Sequence, residues 1–338
     1  MADFDIFNPK ISQVVADASG KILTIYSSAN KVGKTAQACK FPKPFYLRFE
    51  QGINSIANIP YAELTNWRDF KRVNKQLTDP KTLDQVKELY STVIFDTLDV
   101  AIRWVEDYVI SVNGVGKLKD IAYGGGYHDL EVEWFREINK LTNAGFTIIF
   151  ISHAKEVEME DPVTKETYTQ VRPIGGKRDS QICLDISDLI GYVQPNGFDE
   201  NGNEIPSSIY FTNTRSFVAG SRFKYMAKKI DEFTAENVIA AIKEAVEKEE
   251  KETGTKAITL DEKKKIEKKE KISFDALMGK VQEAGEKLAN ADHMDDLLSI
   301  VEDVLGTGKK VSECTPKQYE AVETVYDELC DRIEELGL

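Results

Sequence analysis

The stretch IYSSANKVGKTAQ, residues 25–37, constrains this chain more than any other. It has the form of a phosphate-binding loop, because an apolar strand candidate at 21–27 precedes it and Gly33-Lys34-Thr35 stands at the expected offset. Such a loop holds an anion with inward-facing backbone N–H groups, while its lysine reaches the terminal phosphates and its hydroxyl residue binds Mg²⁺. The stretch therefore predicts a strand–loop–helix unit that binds a nucleotide.

Two residues depart from the usual form of this loop. Ser28 stands where the loop commonly opens with glycine, and Lys31 adds a second lysine three residues before Lys34. A small residue can adopt the conformation expected there at a cost of about 1 kcal/mol. A chance match to Gly-Lys-Thr is the alternative, and the other parts of the predicted site weigh against it. We predict nucleotide contacts from the whole loop: Ser28, Ala29, Asn30, Lys31, Val32, Gly33, Lys34, Thr35 and Ala36.

An acid is expected to complete the metal site. The apolar stretch STVIFDT, residues 91–97, ends in Asp96, about 60 residues after the loop. The carboxyl ends of parallel strands meet at one edge of an α/β sheet, which is where ligands bind. Asp96 is therefore predicted to hold Mg²⁺ together with Thr35. Asp99 is read as an acid in the first turn of the next helix.

Two further polar positions follow strand candidates. Glu50 ends FYLRFEQG and would lie beside the γ-phosphate if strand 43–49 were next to the loop strand. It is the candidate that orients and deprotonates the attacking water; the alternative is a surface glutamate before a glycine turn. Ser152 and His153 end GFTIIFIS and would report on the γ-phosphate; the alternative for His153 is a histidine at the edge of the core.

The alternation of strand and helix candidates over the first 225 or so residues predicts an α/β fold with a mainly parallel sheet. Helices are expected at four places, and Trp67, Phe70, Val73 and Leu77 share one helical face in the first of them. The strand candidates are 21–27, 43–49, 91–97, 145–152, 187–193 and 207–213, and the helix candidates are 66–77, 82–90, 98–111 and 129–144. The Gly/Asn/Asp-rich piece between the last two strand candidates predicts a late hairpin.

The chain changes character after about residue 226. An amphipathic helix is expected over 231–248, and 16 of the 24 residues in 248–271 are charged, as in a linker or a solvated helix. Residues 272–338 read as a small helical module with 16 Asp and Glu against 6 Lys and Arg, or −10 of the total charge of −13. We therefore expect three parts: an ATPase core over 1–230, a helix and charged linker over 231–271, and the acidic module over 272–338.

Four stretches together resemble a known family: SSANKVGKT, FPKPFYLRFEQG, STVIFDTLD and GFTIIFISHAKE. They look like the RecA-like core of phage-encoded AAA-type ATP-binding proteins, whose better-known members are single-strand-annealing recombinases related to RecA and RadA. The resemblance covers roughly residues 20–225, and Lys31 fits it. It implies a RecA-like P-loop NTPase core that uses ATP and Mg²⁺, with Glu50 as the catalytic glutamate.

The resemblance also implies two loops that contact single-stranded DNA. The first matches residues 113–129, with Lys117, Lys119, Tyr123 and Tyr127 around a triple glycine. The second matches residues 154–180, a hairpin about Asp161-Pro162, and its cations are Arg172, Lys177 and Arg178. The alternative is a pair of surface loops without nucleic acid.

A basic residue that reaches the nucleotide of a neighbouring subunit is a further implication of the resemblance. Arg222 is the candidate for this role, which would couple hydrolysis to homo-oligomerisation. The alternative is a solvated basic strand end.

The resulting hypothesis is a phage ATPase that acts on single-stranded DNA in recombination or replication. A first rival is a protein switch of the helicase-loader kind that acts through a partner bound to the acidic module. A second rival is a small-molecule kinase. The sequence argues against it, because it lacks a lid-like arginine cluster. The four cysteines are scattered, no basic and then apolar leader begins the sequence, and no apolar run approaches the ~20 residues needed to span a bilayer. We therefore expect a cytoplasmic protein without a membrane partner. If a phage encodes it, the cytoplasm is that of the host cell.

Overall fold

The computed structural model describes residues 14–122, 125–174, 179–260, 262 and 273–338. These residues form two compact units, a larger one within 14–262 and a smaller one within 273–338. Within the described ranges, no helix combines the length and the apolar character that a bilayer crossing requires.

The larger unit is built on one mixed sheet. Its strands are β1 Ile22–Tyr26, β2 Pro44–Arg48, β3 Tyr61–Glu63, β4 Thr92–Asp96, β5 Thr147–Ser152, β8 Leu189–Gln194, β9 Ser208–Tyr210, β10 Gly220–Ser221 and β11 Lys229–Ile230. The order is β11-β9-β8-β1-β5-β4-β2-β3, with β10 paired to β8. The strands from β8 to β3 run parallel, and the β8–β9, β9–β11 and β8–β10 pairs are antiparallel. Strands β6 Ala154–Glu160 and β7 Thr167–Pro173 form a separate antiparallel hairpin.

The predicted α/β fold with a mainly parallel sheet is confirmed. In β1, β4 and β5 every residue is buried, as expected for strands covered by helices on both faces. The late hairpin is also confirmed, because β8 and β9 pair across the Gly/Asn/Asp-rich connection.

The expected place of β2 beside the loop strand is wrong. The two neighbours of β1 are β5 and β8, and β2 lies beyond β4, which pairs with it from Pro44↔Thr92 to Arg48↔Asp96. Both edges of β1 are already hydrogen-bonded, so two strands separate β1 from β2. Glu50 therefore leaves the sheet next to the end of β4 and not next to the loop.

Seven helices of the described larger unit accompany the sheet. They are α1 Lys34–Ala38, α2 Trp67–Leu77, α3 Leu83–Leu89, α4 Leu98–Asn113, α5 Gly125–Ala144, α6 Asp179–Ile186 and α7 Ala235–Thr253. One large apolar cluster gathers residues of α2, α4 and α5, including Phe70, Val105 and Trp134. A second gathers residues of β1, β8 and α7, including Ile25 and Ile242.

Helix α7 belongs with the larger unit, although the sequence places it after the core. Its residues Val238 and Ile242 are buried in the second cluster together with Leu23 and Ile25 of β1. Thr234 begins the helix by accepting a hydrogen bond from the N–H of Asn237, and Gly254, in the left-handed region, ends it. The compact unit therefore continues past residue 230.

The smaller unit contains α8 Phe274–Asn290, α9 Met294–Leu305 and α10 Tyr319–Glu335. Its apolar cluster includes Leu277, Leu288, Val322 and Leu329. Ser273 caps α8 by accepting a hydrogen bond from the N–H of Ala276. Thr315 and Gln318 form a capping box with Pro316 at the first position, one turn before α10.

Candidate nucleotide site

The loop after β1 has the backbone expected of a phosphate cradle. Lys31 and Gly33 have φ of 61° and 83°, in the left-handed region, so the chain turns sharply before α1. The N–H groups of residues 30–33 donate to no other residue in the described ranges. Successive N–H groups that are left free at such a turn form an anion-binding concavity. The loop can therefore bind phosphate through its main chain.

Ser28 does not carry the strain that the missing glycine suggested. Its φ is not positive, so this position does not require glycine. Its hydroxyl lies 2.9 Å from the hydroxyl of Tyr192, near the end of β8. Tyr192 also stacks on Phe217, with ring centroids 4.3 Å apart. The serine therefore joins the loop to the neighbouring strand, and the expected cost of about 1 kcal/mol applies instead to Lys31.

Thr35 and Asp96 meet as predicted. The Thr35 hydroxyl donates to Asp96 Oδ2 at 2.7 Å, and the Tyr46 hydroxyl donates to the same oxygen at 2.8 Å. Asp96 is 4% exposed. A side chain at Gly52 would place its Cβ 2.5 Å from the Tyr46 hydroxyl and 2.7 Å from Asp96 Oδ2, so glycine is needed where the chain passes this pair.

Burial dominates the electrostatics of the site. Burial raises the pKa of the Asp96 carboxyl, and the hydrogen bonds from Thr35 and Tyr46 offset this only in part. Burial lowers the pKa of the Lys34 ammonium, against the opposing effect of Asp96. Among the described residues, Lys34 Nζ makes no hydrogen bond or ion pair. A bound polyphosphate would supply the negative charge that this ammonium lacks.

Three more polar side chains converge at the same edge of the sheet. The pairings Tyr26↔Ser152 and Arg48↔Asp96 show that the carboxyl ends of these strands are level. Glu50, Asp99 and His153 each offer a ligand atom, and these atoms lie within 4.8 Å of one another. The cluster therefore faces the same space as the Thr35–Asp96 pair.

Each member of this cluster has a defined neighbour. Thr97 donates its hydroxyl to Glu50 Oε1 at 2.9 Å. His153 Nδ1 lies 3.3 Å from Asp99 Oδ1, and both side chains are partly exposed. Asp99 is in the first turn of α4, as expected, and its contact with His153 adds a role that the sequence did not indicate.

The donor set at the loop fits Mg²⁺. Thr35 offers a hydroxyl oxygen and Asp96 a carboxylate oxygen, and these are the hard oxygen ligands that the ion takes alongside water and substrate phosphates. The two groups are already brought within 2.7 Å of each other by their hydrogen bond. Both residues are therefore suited to hold the ion, directly or through water.

Two predicted site residues do not contribute side chains to this space. Ser152 is fully buried, and its hydroxyl donates to the carbonyl of His153 at 2.9 Å. Arg222 lies at the opposite, amino-terminal edge of the sheet, 3.7 Å from Asp188 Oδ1, and it also donates to the carbonyl of Asp185. Arg222 is therefore not part of the site of its own chain, and a contact with a neighbouring subunit stays a prediction.

The predicted DNA-contacting residues are only partly described. Lys117 directly precedes a short 3₁₀ helix at Leu118–Asp120, Lys119 lies within it, and both lysines are exposed. Tyr127, 37% exposed, lies in the first turn of α5, which begins four residues earlier than expected, so it does not lie in a loop. Arg172 is half-buried in β7 of the expected hairpin. Tyr123, Lys177 and Arg178 lie outside the described residues.

Sequence reasoning missed three side chains of the site: Tyr46, Thr97 and Tyr192. Tyr46 sits inside an apolar strand and reads as core, and Tyr192 lies more than 160 residues from its partner Ser28. Thr97 adjoins Asp96 in STVIFDTLD, and this adjacency is the one local signal that was available.

Comparison with known proteins agrees with this geometry. The sequence matches the AAA domain family over residues 19–223, which includes the loop and the strand ends described above. It is also 40% identical over 332 residues to the SPbeta prophage-derived uncharacterized protein YorG of Bacillus subtilis (strain 168), covering 98% of this chain and 99% of that protein. The fold is that of a P-loop NTPase, and the chain belongs to the AAA domain family, which indicates a nucleotide-binding ATPase.

Proposed function

We propose that this chain is a RecA-like, magnesium-dependent ATPase of phage or prophage type that is stimulated by single-stranded DNA and acts in recombination or replication. One observation carries the ATPase part: the free loop amides, the Thr35–Asp96 pair and the Glu50–Asp99–His153 cluster share one edge of the sheet. The similarity to a prophage-derived protein supports the phage origin. The place of action would be the cytoplasm of the host.

The residues divide the chemistry of ATP hydrolysis among them. The loop amides and Lys34 bind the phosphate oxygens, and Thr35 with Asp96 would hold Mg²⁺. The bound ion would neutralise charge on the phosphates. Glu50, held by the Thr97 hydroxyl, accepts a proton from the water that attacks the γ-phosphorus, and ADP leaves on the opposite side.

His153 would transmit the state of the nucleotide. Asp99 orients its ring at 3.3 Å, and β6 begins at the next residue, Ala154. A change in the position of His153 on loss of the γ-phosphate would act directly on the β6–β7 hairpin. That hairpin is tied to residues 214–218 through the N–H of Val171, which donates to the carbonyl of Ser216 at 2.8 Å.

The exposed Lys117, Lys119 and Tyr127 support the DNA part of the proposal. They follow α4, which carries Asp99 in its first turn, so this segment is connected to the nucleotide site through one element. Cations at this position can bind phosphates, and the tyrosine can stack on a base.

A second candidate is a nucleotide-driven protein switch. It is favoured by the separate apolar core of α8, α9 and α10 and by the charge of −10 on residues 272–338. A unit of this kind can bind a replication or recombination protein. Under this alternative, hydrolysis would be indifferent to DNA, and removal of 272–338 would abolish the activity.

The test is ATP hydrolysis with and without single-stranded DNA. We expect stimulation by DNA in the natural chain, loss of nucleotide binding in Lys34→Ala, and a fall in turnover of about 10²- to 10⁴-fold in Glu50→Gln with binding retained. Glu63→Gln serves as the matched control, because this exposed carboxylate at the end of β3 pairs with Arg48. Hydrolysis that does not respond to DNA would contradict the proposal and favour the protein switch.

A further inference from the structure

Helix α2 carries a basic row that the nucleotide site does not use. Arg68, Lys71, Arg72 and Lys75 stand at positions i, i+3, i+4 and i+7, which confines them to an arc of about 100° on the helix. The buried residues Trp67, Phe70, Asn74 and Leu77 lie on the adjoining arc. The row stands out because the whole chain has a net charge of −13.

Helix α5 closes the other side of this row and forms a groove of about 460 Å³. We call it the α2 groove: it is lined by the four residues of the row and by Lys140, and two carboxylates, Asp79 and Glu137, also border it. Glu133 beneath the groove and Asp69, 3.7 Å from Arg72, offset part of this positive charge, and five cations against these four carboxylates leave the groove electropositive. The opening is large enough for several phosphate groups and their water.

Buried carboxylates beneath the groove hold some of its cations in place. Lys71 Nζ is 2.9 Å from Glu133 Oε1, and Lys140 Nζ is 2.7 Å from Glu137 Oε1. Burial raises the pKa of Glu133, but the hydrogen bonds from Lys71 and Trp67 outweigh it and hold this pKa below its usual value. In the described ranges Arg68 and Lys75 form no ion pair, and both are exposed. These two cations are therefore available to an external anion.

An aromatic cavity of about 370 Å³ adjoins the groove, and Arg68 lines both. We call it the aromatic cavity: Trp104 and Tyr108 of α4 border it, together with Asp107. Lys71 Nζ lies 4.5 Å from the centroid of the Tyr108 ring, so the same lysine connects the two spaces. Cations beside partly exposed aromatic rings suit a ligand with both phosphates and bases.

We propose that the α2 groove and the aromatic cavity form a binding track for single-stranded nucleic acid. The phosphates would lie along the basic row, and an unpaired base would enter the cavity beside Trp104. Arg68 and Lys75 are seven residues apart, or about 10 Å along the helix, so the row is long enough to contact more than one phosphate of a strand. The track lies outside the loops that we linked to DNA above. The inference rests on the proposed function in one respect: that the bound strand is DNA and not RNA.

Three tryptophans make the track directly observable. Trp67 and Trp104 both line the aromatic cavity, but Trp67, like Trp134, is 1% exposed, whereas Trp104 is half-buried. Quenching of tryptophan fluorescence by a base that is lost in Trp104→Phe would therefore report on Trp104. The full chain, without added nucleotide, would be titrated with a twelve-residue oligodeoxythymidylate and with an abasic phosphodiester of the same length. We expect quenching by the first and none by the second.

The electrostatic half of the proposal is tested with a matched pair of double variants. Arg68→Gln with Lys75→Gln removes two charges from the α2 groove, and Lys243→Gln with Lys248→Gln removes two exposed charges from α7. Anisotropy of the labelled oligonucleotide would be measured at several salt concentrations. Loss of two phosphate contacts should reduce the slope of log K against log salt concentration by about 1.4 in magnitude. At 0.1 M salt, the affinity should be weaker by about 10- to 30-fold. The α7 pair should change the affinity less than about twofold, and thermal unfolding checks that both variants fold.

The outcomes separate this proposal from the proposed function. Equal loss of binding in both double variants, or equal affinity for an oligoglutamate of the same charge, would overturn the track. Oligonucleotide affinity and DNA-stimulated hydrolysis that are both unchanged in Arg68→Gln with Lys75→Gln would also overturn it while leaving the proposed function in place. Binding that depends on the α2 groove in a chain whose hydrolysis ignores DNA would support the track and contradict the proposed function.

Discussion

Single residues decide whether the loop is a working site. Lys31 and Gly33 supply the left-handed turns, so the backbone at Ser28 is free of that requirement and its hydroxyl can bind Tyr192. The departure from glycine at Ser28 is therefore a substitution that adds a contact, and not a sign of decay. The same hydroxyl links the loop to β8, the strand next to β1.

The contact between Ser28 and Tyr192 leads to a first prediction. Ser28→Ala and Tyr192→Phe each remove one hydroxyl of the pair, and a double-mutant cycle should show a coupling of about 1 kcal/mol in the free energy of unfolding. Ser28→Gly should destabilise the chain at least as much as Ser28→Ala, because no left-handed strain is relieved and glycine adds about 0.5–1 kcal/mol of backbone entropy. Urea unfolding measures both effects. A glycine variant that is more stable, or that binds ATP more tightly, would show that the position does need glycine.

The buried carboxylate of Asp96 leads to a second prediction. Because burial raises its pKa in the folded state, the proton is bound more tightly in the folded chain than in the unfolded one. The tighter proton binding stabilises the folded chain fully below the ordinary carboxyl pKa of about 3.9. This stabilisation is lost as the pH rises through the pKa of Asp96 in the folded chain. Asp96→Asn should therefore raise the Tm of the ligand-free protein at pH 8, and the difference should shrink toward pH 4.

Thermal scans from pH 4 to 8, with and without Mg²⁺ and ATP, measure this effect. The natural chain should gain stability from Mg²⁺ and ATP, and Asp96→Asn should gain little. Asp107→Asn, an exposed carboxylate on α4, is the control. A variant at Asp96 that is less stable than the natural chain at every pH would contradict the prediction.

At the scale of elements, helix α7 completes the core of the larger unit. Its first apolar turns cover β1 and share a cluster with Ile25, although more than 200 residues separate them in the chain. A chain that ends at residue 230 would leave this face of the sheet open to water.

Packing of α7 leads to a third prediction. Ile242 is 3% exposed, so Ile242→Ala should lower the free energy of unfolding by about 2–5 kcal/mol. The control is Lys243→Ala on the same helix, whose side chain is 74% exposed and whose loss should cost less than about 0.5 kcal/mol. Denaturant titration compares the two variants. Equal stability of both would mean that α7 does not pack on the sheet.

At the scale of the whole molecule, the two units have separate apolar cores, and the four cysteines are divided between them. Cys39 and Cys183 are buried in the larger unit, while Cys314 and Cys330 are half-buried in the helical unit. Burial and the charge of Asp96 raise the pKa of the Cys39 thiol to about 11, which keeps this thiol protonated and unreactive at neutral pH.

The division of the cysteines leads to a fourth prediction. In pulsed alkylation at pH 8 under native conditions, Cys314 and Cys330 should react faster than Cys39 and Cys183. The two buried thiols should become reactive only at the denaturant concentration that unfolds the larger unit, as followed by mass spectrometry of the labelled peptides. Simultaneous exposure of all four thiols at one denaturant concentration would indicate a single cooperative unit instead.

Patterns that are local in the chain were enough to predict the parts of this protein. Continuous apolar runs predicted β1, β4 and β5, a 3.6-residue period predicted α2, and Gly33-Lys34-Thr35 located the loop. The position of Asp96 in the site could also be predicted from the sequence, because an acid at the end of a buried parallel strand lies at the edge of the sheet where ligands bind. These inferences succeed because each depends on neighbours within a few residues.

Contacts between distant residues were decided by the tertiary structure. Strand order and register determine four features of the structure: the pairing of β2 with β4, the hydrogen bonds of Tyr46 and Tyr192, the approach of Asp99 to His153 and the position of Arg222. The α2 groove is of the same kind: its basic row can be read from the sequence, but the wall supplied by α5 cannot. Strand order is set by which apolar faces pack best over the whole sheet, and no short segment carries that information.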